Sequence, residues 1–234
     1  MRLRAVSWNV HSWVGTDRRE DPERVADVLA RLQADVVGLQ EVDWRTSRPQ
    51  DRDPLELVAQ RVGMTAIAGP NLVDHRGEYG NGLLTRLPVE AVDRFDLSQP
   101  GREPRGAIDA RLRHGERSVR VLVTHLGLDR VERRSQLRRL AERLAPAKEP
   151  EEFRVLLGDL NEWLPWRRSH APLLTHHFAR SYSARSFPTR LPLLHLDRIF
   201  VAPAPRLARL QVHREGIARR ASDHLPLVLD AEWS

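Results

Sequence analysis

The sequence predicts an α/β or α+β layered domain, and three observations carry that prediction. Short apolar segments with strand-like alternation recur from "LRAVSWNV" at the start of the 234 residues to "PLVLDAEW" at the end. Segments with helical spacing are few and lie between them. Both kinds of element have an apolar face to bury, so sheet and helix layers must stack on one another.

Taken in chain order, the first strand runs through "AVSWN" to Asn9. Asp21 and Pro22 then supply a helix N-cap and a first-turn proline, with Val25, Val28, Leu29 and Leu32 on one face. "DVVGLQ" follows as a strand that ends at Glu41, and Asp53-Pro54 repeats the helix start before Leu55, Val58, Ala59 and Val62. "TAIAG", "GLLT" and "VEAVDRF" read as strands. "AIDARLR" and "SVRVLVTH" flank a short loop carrying Gly115, which is a hairpin pattern. Leu137, Leu140, Ala141 and Leu144 mark a third helix, and "AKEPEEF" at 147–153 is a loop leading to "FRVLLGD". "LDRIFVA", "LARLQVH" and "PLVLDAEW" complete the strands. No repeat, low-complexity tract or linker interrupts the chain, so a single domain is expected over 1–234.

Composition narrows the class. Charged residues at 30% and hydrophobic ones at 41% are those of a soluble globular protein. No apolar run approaches the roughly 20 residues that span a bilayer. The N-terminus goes straight into strand alternation without a signal-peptide core, so a cytoplasmic location is expected. A cysteine count of 0 excludes disulfides, thiolate metal sites and a cysteine nucleophile. The net charge of +6 permits a polyanionic partner such as nucleic acid. It does not single one out: Lys148 is the one lysine among 38 cationic residues, a skew that a GC-rich coding sequence also produces. The arginines are also spread along the chain and do not form one stripe.

Polar residues cluster at strand ends. Asn9, Glu41 and His125 close strands, Asp159 and Asn161 close another, Asp197 opens one, and Asp223-His224 stand directly before "LPLVL". Each alone also reads as a turn or solvated strand end, and His125 also as a core histidine. Together they suggest convergence on one edge of a sheet, where sites in layered folds are built. Gathered carboxylates repel one another, and a hard divalent cation removes that conflict. Oxygen ligands without thiols suit Mg2+, with Mn2+ able to substitute. Two imidazoles beside such an ion can move protons near neutral pH. The chemistry reached is attack of water on a phosphate ester.

The ordered motifs "SWN" at 7–9, "LQE" at 39–41, "YGNGLLT" at 79–85, "THL" at 124–126, "GDLN" at 158–161, "LDRIF" at 196–200 and "SDHLPL" at 222–227 resemble the endonuclease/exonuclease/phosphatase superfamily across almost the whole chain. The resemblance implies a four-layer αββα sandwich, with two mixed β-sheets face to face and helices outside. It implies Glu41 as principal metal ligand, with Asn9 and Asp223 nearby. Asp159 and Asn161 would hold the attacking water or the phosphate. His224, polarised by Asp197, would be the base, and His125 would contact the phosphate or the leaving group. Asn81 would support the site, and Arg105 would clamp phosphate. "TDRRED" departs from the "TDGR" of related short bacterial members. "THL" is closer to the DNase, sphingomyelinase and phosphatase branches than to abasic-site endonucleases. The expected protein is thus a Mg2+-dependent phosphoesterase, expected as a monomer; a DNA nuclease and a non-catalytic phosphate-binding module are the alternatives.

Overall fold

The computed structural model describes residues 1–45, 53–144, 152–163 and 177–234. Two six-stranded sheets form the centre. The first has the order β11 (Leu207–Val212), β12 (Leu227–Glu232), β1 (Arg2–Asn9), β2 (Val36–Asp43), β4 (Gly77–Thr85), β3 (Thr65–Asp74). The second has the order β5 (Val89–Asp96), β6 (Gly106–His114), β7 (Arg117–His125), β8 (Phe153–Asp159), β10 (Asp197–Ala202), β9 (Arg180–Tyr182). Among the described residues the α-helices are α1 (Pro22–Leu32), α2 (Pro54–Val62), α3 (Arg130–Arg143) and the short α4 (Ala218–Ala221).

Each sheet has one parallel pair, β1–β2 and β7–β8, and these pairs aim their C-terminal ends at the same edge. A parallel pair needs a long crossover. α1 supplies it in the first sheet and α3 in the second. The helix starts follow from caps: the Asp21 side chain accepts from Arg24 N, and Asp53 accepts from Leu55 N and Glu56 N, each with proline following. α3 is capped in the same way by Asp129, which accepts from Val131 N and Glu132 N. Its leucine spacing marks the helix in the sequence, but no proline marks its start.

Three buried clusters define four layers. Val36, Leu83 and Leu229 of the first sheet meet Ile108, Val121 and Leu157 of the second between the sheets. Val6, Leu39 and Val228 pack outward against Val25, Leu29 and Val58 of α1 and α2. Leu122, Leu156 and Phe200 pack outward against Leu137 and Leu140 of α3. The αββα sandwich is therefore present. β12 is covered on both faces, which is why Leu227 and Leu229 alternate with an equally buried Val228 rather than with polar residues.

The sheets come close together at Gly38, where an added Cβ would lie 2.7 Å from Leu157 Cβ and 3.1 Å from Val123 Cγ2. Neither neighbour is a flexible tip. Gly38→Ala should therefore overpack the centre and cost about 1–3 kcal/mol. Equilibrium unfolding in denaturant checks this, and a variant as stable as the wild type would contradict the close approach.

Some elements differ from the sequence expectations. The strand through Glu41 does not end there but continues to Asp43 past an irregularity between Leu39 and Val42. "GLLT" is the end of a longer strand from Gly77, and "TAIAG" the start of one reaching Asp74. Glycines and prolines obscure both in the sequence. The last strand begins at Leu227, because Leu225 N is bonded to Ser186 O of a loop. β9 and α4, of three and four residues, are too short to show a period. Most of the loop expected at 147–153 lies outside the described residues.

Candidate active site

In the second sheet, strand register does the assembly. His125 of β7 pairs with Asp159 of β8, and Asp159 pairs with Asp197 of β10. Three adjacent strands thus deliver three functional side chains to one edge in a row. The first sheet contributes Asn9 from the end of β1 and, beside it, the loop before β12 that carries Asp223 and His224. Trp8 Nε1 anchors this loop by donating to His224 O at 2.9 Å, and Ser222 Oγ donates to Asn9 O at 2.7 Å.

Asn9 joins the sheets. Its Nδ2 donates to Glu41 Oε1 at 2.8 Å and to Asp159 Oδ2 at 3.2 Å, while its Oδ1 accepts from His11 N at 3.0 Å. Glu41 owes its aim to the irregularity in β2, where its φ is 57°. A bulge re-aims one side chain, and a non-glycine residue held left-handed is strain of the kind found at functional sites. Asn161 is also left-handed, with φ 49°, and its backbone N–H closes on Asp159 Oδ1 at 2.9 Å. Asn tolerates this conformation well.

Asp197 and His224 form a buried pair, with His224 Nδ1 2.9 Å from Asp197 Oδ2. Asp197 is inaccessible to solvent, and its Oδ2 also accepts from Ser186 Oγ. A carboxylate can only accept, so His224 carries its proton on Nδ1 and turns Nε2 toward Asp159 Oδ2, 3.6 Å away. Burial opposes a charge on His224, but the Asp197, Asp159 and Asp223 carboxylates outweigh it and raise the imidazole to about 10. Phe187 lies tilted against the ring, with centroids 4.6 Å apart.

His125 is buried as well, with Nδ1 3.1 Å from Arg105 Nη1 and Nε2 3.0 Å from Asn161 Nδ2. Burial, then the Arg105 charge, lower it to about 3. Arg105 also donates from Nη2 to Glu103 Oε2 at 3.2 Å. Asn81 is fully buried in β4 and donates across the sheets to Gly106 O at 3.1 Å, next to Arg105. Asp223 is half-exposed and stands 3.9 Å from His11 Nδ1.

The structure therefore gathers Asn9, Glu41, Asp159, Asn161, His125, Asp197 and His224 into one bonded group. Asn81 and Arg105 stand behind it, and Asp223 at its rim. Asp159, Asp197 and His224 offer ligand atoms within 4.8 Å of one another. Asp197 Oδ2 and His224 Nδ1 already engage each other, while Asp197 Oδ1 has no hydrogen-bond partner among the described residues, and we read that trio as a dyad facing a carboxylate rather than as a closed metal cage. Glu41, half-exposed and held beside Asp159, offers the hard oxygen a divalent cation favours. Sequence reasoning missed Ser186, Ser222 and Phe187. Ser222 next to the Asp-His pair carries a weak signal, since its hydroxyl accepts from His224 N two residues on at 3.2 Å. Nothing local marks Ser186 or Phe187.

Fold and site define a layered α/β protein with a buried carboxylate–histidine group at its sheet edges. The family model described as "Endonuclease/Exonuclease/phosphatase family" matches residues 6–224, and the chain belongs to that family. Its members are generally phosphoesterase or nuclease hydrolases. The chain is 31% identical to the uncharacterized protein YbhP of Escherichia coli (strain K12), over 96% of this chain and 94% of that one. Among solved structures it is similar to an endonuclease/exonuclease/phosphatase from Beutenbergia cavernae, with TM-score 0.77 and 22% identity, covering 100% of this chain and 72% of that one. It is similar also to the catalytic domain of human nocturnin with bound sulfate anion, with TM-score 0.72 and 21% identity, covering 100% and 95%. Among the described residues no helix is long and apolar enough to cross a membrane.

Proposed function

We propose that the chain is a Mg2+-dependent phosphoesterase that hydrolyses a phosphodiester or phosphomonoester by attack of an activated water. The observation that carries this reading is the Asp197–His224 dyad, whose Nε2 faces Asp159 in a site also bonded to Glu41 through Asn9. Glu41, with Asn9 and Asp223 nearby, would hold the cation; Mn2+ should replace Mg2+. The ion would offset phosphate charge and acidify water.

The protein's own groups do the rest. Asp159 and Asn161 hold the water or a phosphate oxygen. His224 Nε2 takes the proton, and Asp197 keeps the ring oriented and stabilises the imidazolium, as a carboxylate does in any Asp–His pair. His125 reaches the phosphate or the leaving oxygen, with Asn81 and Arg105 supporting it. The nocturnin domain's sulfate is a tetrahedral oxyanion on the same fold, which supports an oxyanion ligand here.

A panel of plasmid DNA, abasic duplex, inositol phosphates and phospholipids, assayed with Mg2+, Mn2+ and EDTA, tests this. At least one ester should be cleaved and EDTA should stop it. Folded protein that cleaves none would favour a phosphate-binding module. Binding to DNA should be weak and fall steeply with salt, because neutralised phosphates release counterions. Efficient duplex cleavage at physiological salt would promote the nuclease reading.

A further inference from the structure

The two site histidines meet opposite partners at Nδ1. His224 faces a carboxylate, Asp197, whereas His125 faces a guanidinium, Arg105, at 3.1 Å. Both Nε2 atoms stand 3.6 Å from the same Asp159 Oδ2. A carboxylate only accepts and a guanidinium only donates. The same ring edge is therefore prepared in two opposite ways around one oxygen.

At His125 the assignment is a contest. Asn161 Nδ2, which donates to Leu126 O at 2.9 Å, lies 3.0 Å from Nε2. Both ring nitrogens thus face donors, and a neutral imidazole has one lone pair to give. Arg105 wins it, because a hydrogen bond from a permanently charged donor is about twice as strong as a neutral one. Nδ1 then accepts, and the ring proton sits on Nε2, turned toward Asp159.

Arg105 is built for this. Only 4% of it is exposed. Its backbone is held on both sides, N by Ser98 Oγ at 3.1 Å and O by Leu97 N at 2.8 Å. The carbonyl of the next residue, Gly106, takes both Asn81 Nδ2 at 3.1 Å and Thr124 Oγ1 at 3.0 Å. Glu103 engages Nη2 and partly balances the charge.

We propose that Arg105 is a positioning residue that locks His125 in the Nε2–H tautomer, making it a fixed hydrogen-bond donor to the phosphoryl or leaving oxygen opposite the Nε2 of His224. Its own guanidinium does not touch substrate. The burial and charge that hold His125 neutral agree with this. The catalytic consequence rests on the phosphoesterase reading, whereas the tautomer does not.

Nitrogen NMR of the ring, with His125 assigned through its bonds to its own backbone, tests the tautomer without any substrate. The wild type should show Nε2 protonated and Nδ1 bare; an Nδ1–H ring would overturn the proposal, and this needs no variant to fold. In Arg105→Met the preference should be lost. Turnover on the substrate from the panel should fall about 10–100-fold, the usual scale for partners that orient a catalytic ring, with KM little changed. Arg105→Lys, which keeps a charged donor, should recover the tautomer and part of the turnover. An unchanged tautomer in Arg105→Met with a raised KM would instead make Arg105 a phosphate clamp. If no substrate is turned over, the hydrolase reading fails while the spectra still decide the tautomer.

Discussion

His224→Ala should lose about 10²–10⁴-fold in turnover, the range a positioned general base contributes. Once neutral, the imidazole turns the Nε2 lone pair toward the Asp159 side with a carboxylate behind it. Removing it leaves Asp197 buried with Ser186, so thermal stability should fall as well, and rates belong at temperatures below both unfolding transitions. Asp197→Asn should lose activity too, and the double variant should be far from additive, because the pair acts as a unit. The pH profile carries the same signature. Burial works against the charged ring, but its carboxylate neighbours raise His224 above its usual 6.5. The base works when neutral, so activity should rise with pH along an acidic limb whose midpoint lies above 6.5. Asp197→Asn removes the strongest of those fields and should move the limb to lower pH. Wild-type turnover and an unmoved limb in His224→Ala would return the Asp-His pair to an ordinary turn.

Glu41→Gln should weaken divalent cation binding at least about tenfold, which is about 1.4 kcal/mol, and cut hydrolysis severely at limiting metal. The amide keeps the side chain's size and can still accept from Asn9 Nδ2, so thermal unfolding should hardly change. Glu41→Gly separates function from fold more sharply. With φ at 57°, glutamate sits in a conformation that glycine adopts freely, so this variant should unfold about 1 kcal/mol later while losing activity. Calorimetric Mg2+ titration and thermal unfolding of the two variants check both statements. Unchanged affinity and activity in Glu41→Gln would remove Glu41 from the metal site.

What the sequence discloses here depends on the range of each interaction. Asp21-Pro22 and Asp53-Pro54 announce helices because capping acts within three residues. The hairpin at Gly115 is legible for the same reason, with His114 paired to Arg117 across it. The left-handed Glu41 is not legible, because the bulge arises from pairing with β4 some forty residues on, and the residue itself prefers other conformations. Asn9, His125, Asp159 and Asp197 do stand at strand ends, as the alternation suggested, yet the strand count did not stack the sheets; the family resemblance supplied the four layers. The pairing of Asp197 with His224 also came from that resemblance. Arg105 could be named from sequence only as a phosphate clamp, since its contact with His125 is made across two strands. Ser186 and Phe187 reach the dyad from a loop with no period of its own.

The most direct measurement of the central claim is hydrolysis in water enriched in oxygen-18, on the substrate that the panel identifies, with Mg2+ present. Water attack on phosphorus predicts one labelled oxygen in the phosphoryl product and none in the released alcohol, with the rate of labelling lowered about 10²–10⁴-fold in His224→Ala. Label in the alcohol, or equal phosphoryl labelling rates with and without His224, would contradict the account.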